Sequence, residues 1–220
     1  MAHLSNVKYG SGDWRNNQTD AVAVGIYEDL KMSRQIQGVN RLLGRGISNA
    51  LSANLLKGKI GEVKIIIGKK GNLAFVFGLG KVGNLVPETL RKAAAGVSKL
   101  CISNSVSSVS FLIPKEAKDD YISQAAAEGL VLGSYQFNEF KTTGEKPFNI
   151  KSAIILGGNK KAITKGAIIA EGVCLARNLE NRPGNVSTPT HLADHAKKIG
   201  KTPDMKVTVF EREKFTKMGM

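Results

Sequence analysis

The 220-residue sequence is short of cysteine, histidine and acid. Two cysteines, Cys101 and Cys174, are too few for a disulfide framework. Both sit in apolar helical surroundings, where cysteine packs as a small buried residue of a reducing compartment. Three histidines, His3, His191 and His195, leave little for a histidine-rich metal centre. No apolar run approaches the roughly 20 residues that cross a bilayer. Met1-Ala-His-Leu-Ser carries no signal-like apolar core. The expectation is a cytoplasmic protein with no membrane partner. Gly-x-Ser-x-Gly elbows, internal repeats and low-complexity tracts are all missing.

Acid is the scarcest class relative to its counterpart: 18 Asp and Glu stand against 32 Lys and Arg, a net charge of +14. The excess is uneven, with +9 over residues 1–100, zero over 101–160 and +5 over 161–220. Between Lys31 and Lys81 ten basic residues face a single acid, Glu62. Such a field attracts polyanions, so a nucleic-acid-binding module using residues 31–81 is one reading. No RNA or DNA motif accompanies it, and a solvated basic face is the plainer alternative.

What is present is an alternation of strand-like and helix-like segments. With 42% hydrophobic residues, the chain holds one large domain, or one domain plus a fragment. The apolar run Ala21–Tyr27 follows a turn-forming Asp20 and suits a central strand covered on both faces. Leu51, Leu55 and Leu56 mark a short helix over Ser48–Leu56. Val63–Ile67 and Leu73–Phe77 flank Gly68–Asn72 as a hairpin. Pro87 opens a helix to about Ile102. A strand at Ser108–Ile113, a helix over most of Lys115–Phe137, a strand at Ser152–Leu156 and a helix from Lys160 to about Asn181 follow. Another helix opens at Thr188-Pro189, with Thr188 as N-cap, before a strand at Lys206–Phe210 and a helix from Glu211. The pattern predicts an α/β fold with a mixed, mostly parallel sheet flanked by helices.

Four groups invite a chemical reading. Gly78-Leu-Gly-Lys-Val-Gly83 has the spacing of a dinucleotide fingerprint after a strand and before a helix. It is not at the first strand–helix crossing, and residues 103–110 carry no acid to hold a ribose, so a tight turn is expected. His191 and His195 share a helical face, yet Leu-Ala-Asp separates them and supplies no Glu base. A solvated face beside Lys197 and Lys198 is expected instead. Asp119-Asp120 sits where a helix begins and favours its dipole. Tyr9 and Trp14 are candidates for interface aromatics, with core or surface packing the plainer reading. No nucleophile, base and electrophile assemble, so no catalytic, cofactor-binding or metal-binding residue is assigned.

Arg177-Asn-Leu-Glu-Asn-Arg-Pro-Gly-Asn-Val-Ser-Thr-Pro189 resembles the segment that opens the catalytic domain of the leucyl aminopeptidase (cytosol aminopeptidase) family of two-metal exopeptidases. Lys206–Phe210 followed by Lys217-Met-Gly-Met220 is similar to what comes next there, and Phe77-Gly-Leu-Gly-Lys81 and Gly129–Phe140 extend the likeness backward. The resemblance implies a macro-domain-like accessory domain over residues 1–158, a linker helix over 159–182, and over 183–220 the first elements of an incomplete α/β/α zinc-exopeptidase domain. The intact family enzyme uses two divalent ions, zinc or manganese, to release N-terminal residues, often leucine, from peptides, and assembles as a homohexamer. The family's metal-binding residues would lie beyond Met220. The resemblance therefore implies an inactive fragment, monomeric or weakly oligomeric, with a positioning or partner-binding role. A macro-like fold also leaves phosphate or ADP-ribose binding as an alternative.

Overall fold

The computed structural model describes residues 3–69, 71–117, 119–144, 147–201 and 205–220. The chain divides into two compact units, Met1–Cys174 and Leu175–Met220.

The first unit is built on six strands: β1 (Val7–Gly10), β2 (Ala21–Ile26), β3 (Val63–Ile67), β4 (Leu73–Gly78), β5 (Ser108–Leu112) and β6 (Ser152–Leu156). They lie in the order β1-β6-β5-β2-β4-β3. Every pairing is parallel except β3 with β4, the hairpin expected from the glycines at 68 and 71. Parallel neighbours need crossovers on the sheet faces, and both faces are accordingly covered.

Strand periodicity sorts the side chains. Ala21, Ala23, Phe75, Phe77, Val109 and Phe111 point to one face. Val22, Val24, Ile26, Ala74 and Val76 point to the other. On the first face, α3 (Pro87–Ser103) and α4 (Asp120–Gly133) bring Leu90, Val97, Ile122 and Leu130 down onto stacked Phe77 and Phe111 rings, centroids 4.9 Å apart. On the second, α1 (Arg34–Leu42) and α2 (Gly46–Ser52) supply Ile36, Val39 and Ile47. The approach of α4 to α3 requires glycine. A Cβ on Gly129 would lie 2.3 Å from the Arg91 carbonyl oxygen, and one on Gly133 2.5 Å from Ala95 Cα. The helix α5 (Lys160–Asn181) adds Ile163 to the first core, and its Ala170 and Cys174 meet Val131.

The sequence reading differs from the structure in five places. The helix placed over Ser48–Leu56 begins earlier, at Gly46, and ends at Ser52, because Asn54 turns left-handed at φ +57°. The helix placed over most of Lys115–Phe137 is confined to Asp120–Gly133, capped by Asp119, whose carboxylate accepts from Tyr121 N at 2.8 Å. Lys206–Phe210 forms no strand: a β run needs a partner for its backbone groups, and the described residues of the second unit form no strand to pair with it. Two elements, β1 and α1, were not expected.

At the amino ends of the strands, Asp20 Oδ2 accepts from Ser107 N (3.1 Å), Ser107 Oγ (2.6 Å), Ser108 N (2.8 Å) and Ser108 Oγ (2.9 Å), tying the start of β2 to β5. Hydrogen bonding, led by the Ser107 hydroxyl, lowers the Asp20 pKa. A depressed carboxylate stabilises the fold above its unfolded pKa, and that contribution disappears as pH falls through the folded value. Asp20→Ala should therefore lower the unfolding free energy at pH 7 by about 1 kcal/mol, discounted for exposure. The difference from the parent should shrink below about pH 4, as denaturant melts across a pH series will read.

Candidate functional site

The crossovers leave the carboxyl edge of the sheet open. From β2 the chain turns to α1 on one face of the sheet, and from the adjacent β5 it turns to α4 on the other. Where neighbouring strands send their connections to opposite faces, the carboxyl edge opens, and open α/β sheets bind ligands there.

A cavity of about 590 Å³ lies at this edge, walled by the segments that follow β1, β5 and β6 and by one side of α1. Arg34, Gly38 and Arg41, spaced four and three apart on α1, form a single stripe along it. Trp14 lies against the gap left by Gly38, where an added Cβ would sit 3.8 Å from the indole Nε1. Gln35 Nε2 donates to the Ile113 carbonyl at 3.2 Å, fastening α1 to the loop after β5. Arg15 contributes at the rim but is engaged by Asp13, Nε to Oδ1 at 2.9 Å. The guanidinium in turn holds the Asp13 carboxyl down at about 2. Arg34, Arg41 and Lys115 have no ion-pair partner among the described residues. Four cations and one carboxylate thus line the cavity.

A second, more apolar cavity of about 710 Å³ opens on the other side of the loop after β5, between Tyr27, Met32, Val82, Leu85 and Ile122. Burial, with Glu116 alongside, raises the Tyr27 phenol. Ala117 borders both cavities.

The glycine motif is not a phosphate cradle. Gly78 N donates to Glu62 O, Leu79 N to Ile26 O and Gly80 N to Gly58 O, so the first three amides of the motif are spent inside the protein. A Cβ on Gly78 would lie 1.9 Å from the Lys59 carbonyl oxygen. The helix does not begin until Pro87, with Val86 as N-cap. The motif is a tight turn packed on residues 58–60, as expected.

In the second unit, α6 (Pro189–Ile199) is capped by Thr188, whose hydroxyl accepts from His191 N at 3.2 Å. His191 and His195 share a face, with rings 4.7 Å apart. Arg182 Nη1 lies 2.8 Å from His191 Nε2, so that nitrogen faces a permanent cation rather than a metal. Partial burial, reinforced by His191 and Lys198, lowers the His195 pKa. Among the described residues no group of three or more His, Cys, Asp or Glu side chains is placed to hold an ion. The described residues do not fit a two-ion centre.

Asp119 and Asp120 serve the start of α4. Cys101 is buried, with its thiol pushed up to about 12, and Cys174 is buried as well. The basic residues between 31 and 81 are spread over α1, the loops around residues 57–59 and 69, β3 and the glycine turn, with Lys70 outside the described residues. This arrangement adds no support for a nucleic-acid module. Trp14 packs against the second core, and together with Tyr9 it also walls the basic cavity. Arg34 and Arg41 were missed as lining residues, although their spacing behind the Ser33 cap carries the signal.

Comparison with known proteins agrees with this architecture. The family model described as the cytosol aminopeptidase family, N-terminal domain, matches residues 23–144. A probable cytosol aminopeptidase of Aquifex aeolicus is 33% identical over 214 residues, covering 94% of this chain and 43% of the relative. One from Nostoc punctiforme is 32% identical over 209 residues, covering 91% and 42%. Among solved structures, a tomato leucine aminopeptidase mutant superposes with a TM-score of 0.84 at 23% identity, over all of this chain and 47% of that one. The bottromycin maturation enzyme BotP gives 0.71 at 23% identity, over 91% and 41%, and its complex with Mn gives 0.70. At these identities the structural likeness speaks for the fold. The chain spans less than half the length of the curated relatives it matches. With the family model covering more than half of its residues, the chain belongs to the cytosol aminopeptidase family and contains that family's N-terminal domain.

Proposed function

We propose that these 220 residues are the N-terminal portion of a leucyl aminopeptidase-like metallo-exopeptidase. In this reading residues 1–158 form an accessory domain, 159–182 a linker helix, and 183–220 the opening elements of the catalytic domain. The observation that carries it is the uncovered state of the second unit. Neither α6 nor α7 (Arg212–Lys217) contains a buried residue. Leu192, Ile199, Val207, Phe210, Phe215 and Met218 are all exposed. The Asn178 carboxamide oxygen is buried with no hydrogen-bond partner among the described residues. Exposed apolar surface on this scale and an orphaned buried acceptor are both costly in a finished domain. Further chain laid over the unit would relieve both.

The activity then belongs to the intact, cytoplasmic protein: release of an unblocked N-terminal residue, often leucine, from peptides, with two divalent ions, zinc or manganese, held by side chains outside these 220 residues. No catalytic step is assigned to this chain. Its own contribution is positional. Its sheet domain would sit outward on a homohexamer assembled mainly through catalytic domains, where it limits access or takes partners.

The 220-residue chain alone should give no hydrolysis of leucine p-nitroanilide above a metal blank with manganese or zinc. The same chain extended through its downstream reading frame should turn the substrate over. Hydrolysis by the 220-residue chain itself would place the site elsewhere and overturn the reading. Light scattering on the same chain should give a monomer or a weak, concentration-dependent oligomer, and a stable hexamer would contradict it.

A further inference from the structure

The apolar cavity of about 710 Å³ beside the loop after β5 is not needed by the reading above, and every residue lining it lies within the first unit. We propose that it binds an apolar primary amine, a compound whose ammonium group is carried on a hydrophobic body.

The walls call for a hydrophobic body. Met32, Leu85, Ala117 and Ile122 give aliphatic surface, and Tyr27 adds an aromatic ring. Ala117 and Ile122 belong to the first core, with Tyr27 and Leu85 packed against it, and Met32 packs against the second. Both cores therefore reach the surface here. Val82 also lines the cavity and is 60% exposed. Hydrocarbon left in water beside a concavity is surface that a ligand gains by covering. The volume falls within the usual range of small-molecule sites and admits a phenyl-sized group.

The charged groups then choose the sign of the ligand. The protein as a whole carries +14, yet among the described residues lining this cavity Asp29, Glu116 and Asp119 stand against Lys31 alone. Lys31 is committed to Asp29, Nζ to Oδ2 at 3.6 Å, so Glu116 and Asp119 leave a negative excess. All three acids are exposed, which puts them where the cavity meets water. Asp119 Oδ1 accepts from Tyr121 N at 2.8 Å, and its Oδ2 accepts no hydrogen bond among the described residues. Glu116 stands beside the Tyr27 phenol. An ammonium group at this mouth has carboxylate acceptors and an aromatic ring to attract it, while a carboxylate or phosphate meets like charge. Exposed carboxylates add little binding energy. Burial of the hydrophobic body therefore sets the affinity, and the acids set which charge is accepted.

Proton–nitrogen correlation NMR on the intact, metal-free 220-residue chain reads this cavity separately from the basic one. Titration with phenethylamine, and separately with the peptide Phe-Gly-Gly, should move the amides of Tyr27, Met32, Leu85 and Ile122 along saturable curves, with a dissociation constant of about 1 mM or below. The amides of Gly38 and Gly157, at the basic cavity, should stay in place. Saturation by either probe supports the proposal, and which of them saturates tells a free amine from a peptide N-terminus. Phenethyl alcohol and N-acetylated Phe-Gly-Gly keep the body and lose the charge, and each should bind at least about fivefold more weakly than its amine. Glu116→Gln/Asp119→Asn removes both carboxylates while asparagine keeps the α4 cap, and should weaken the amines to a similar extent. Glu171→Gln/Glu180→Gln removes the same charge from exposed positions of α5 and should bind as the parent does. Absence of a saturable shift at the cavity amides up to roughly 20 mM of both amines would overturn the proposal. So would neutral analogues binding as well as the amines, or equal weakening in the two double variants. The parent titrations with charged and neutral ligands need no variant to fold, so the proposal stays open to refutation even if the Glu116→Gln/Asp119→Asn chain proves unstable.

Discussion

The whole structure depends on the burial of β2 from both sides. A strand covered on two faces must be apolar at every position, and Ala21 to Ile26 is, with only Gly25 less than buried. Small residues on one side, Ala21 and Ala23, leave room for the paired rings of Phe77 and Phe111 beneath α3 and α4. Larger ones on the other, Val22, Val24 and Ile26, meet the short helices α1 and α2. Displacing any of these layers would expose a strand that has no polar face to offer water.

That constraint also dictates where chemistry can occur. With both faces occupied, ligands reach the sheet only along its edges. At the amino edge Asp20 ties down the serines at 107 and 108, beside a small cavity of about 190 Å³. The carboxyl edge stays open because α1 and α4 leave it in opposite directions. Both cavities are found there, one basic and one apolar, separated by the loop after β5. The glycine motif reaches the same edge but spends its first three amides on residues 26, 58 and 62. A spacing that signals a nucleotide on paper here signals close packing between two loops.

Most of the sheet was legible in the sequence because its strands are dense apolar runs. The bounds of β3, β6 and α5 agree residue for residue with the segments expected from composition. Elements that lean on tertiary support were not legible. The strand β1 is four residues with exposed Lys8 and Tyr9, and it exists because β6 offers it a parallel partner. The helix α1 has a polar composition interrupted by Gly38, and only the Ser33 cap and the spacing of Ile36, Val39 and Leu43 betray it. Missing α1 meant missing the arginine stripe, so the basic cavity could not be seen. The opposite error occurred at Lys206–Phe210, where β-branched residues suggested a strand but the described residues of the second unit form none to complete a ladder. The family likeness, by contrast, was carried by local motifs that do not depend on burial.

The two units therefore differ in physical state: one closes a core around a central strand, and the other carries helices with no buried face of their own. Native-state amide hydrogen exchange on the intact 220-residue chain tests this most directly, because protection tracks local opening free energy. The account predicts that amides of β2, β4 and β5 exchange only through global unfolding, while those of α6 and α7 exchange orders of magnitude faster. Protection in α6 and α7 equal to that of the central strands would contradict it.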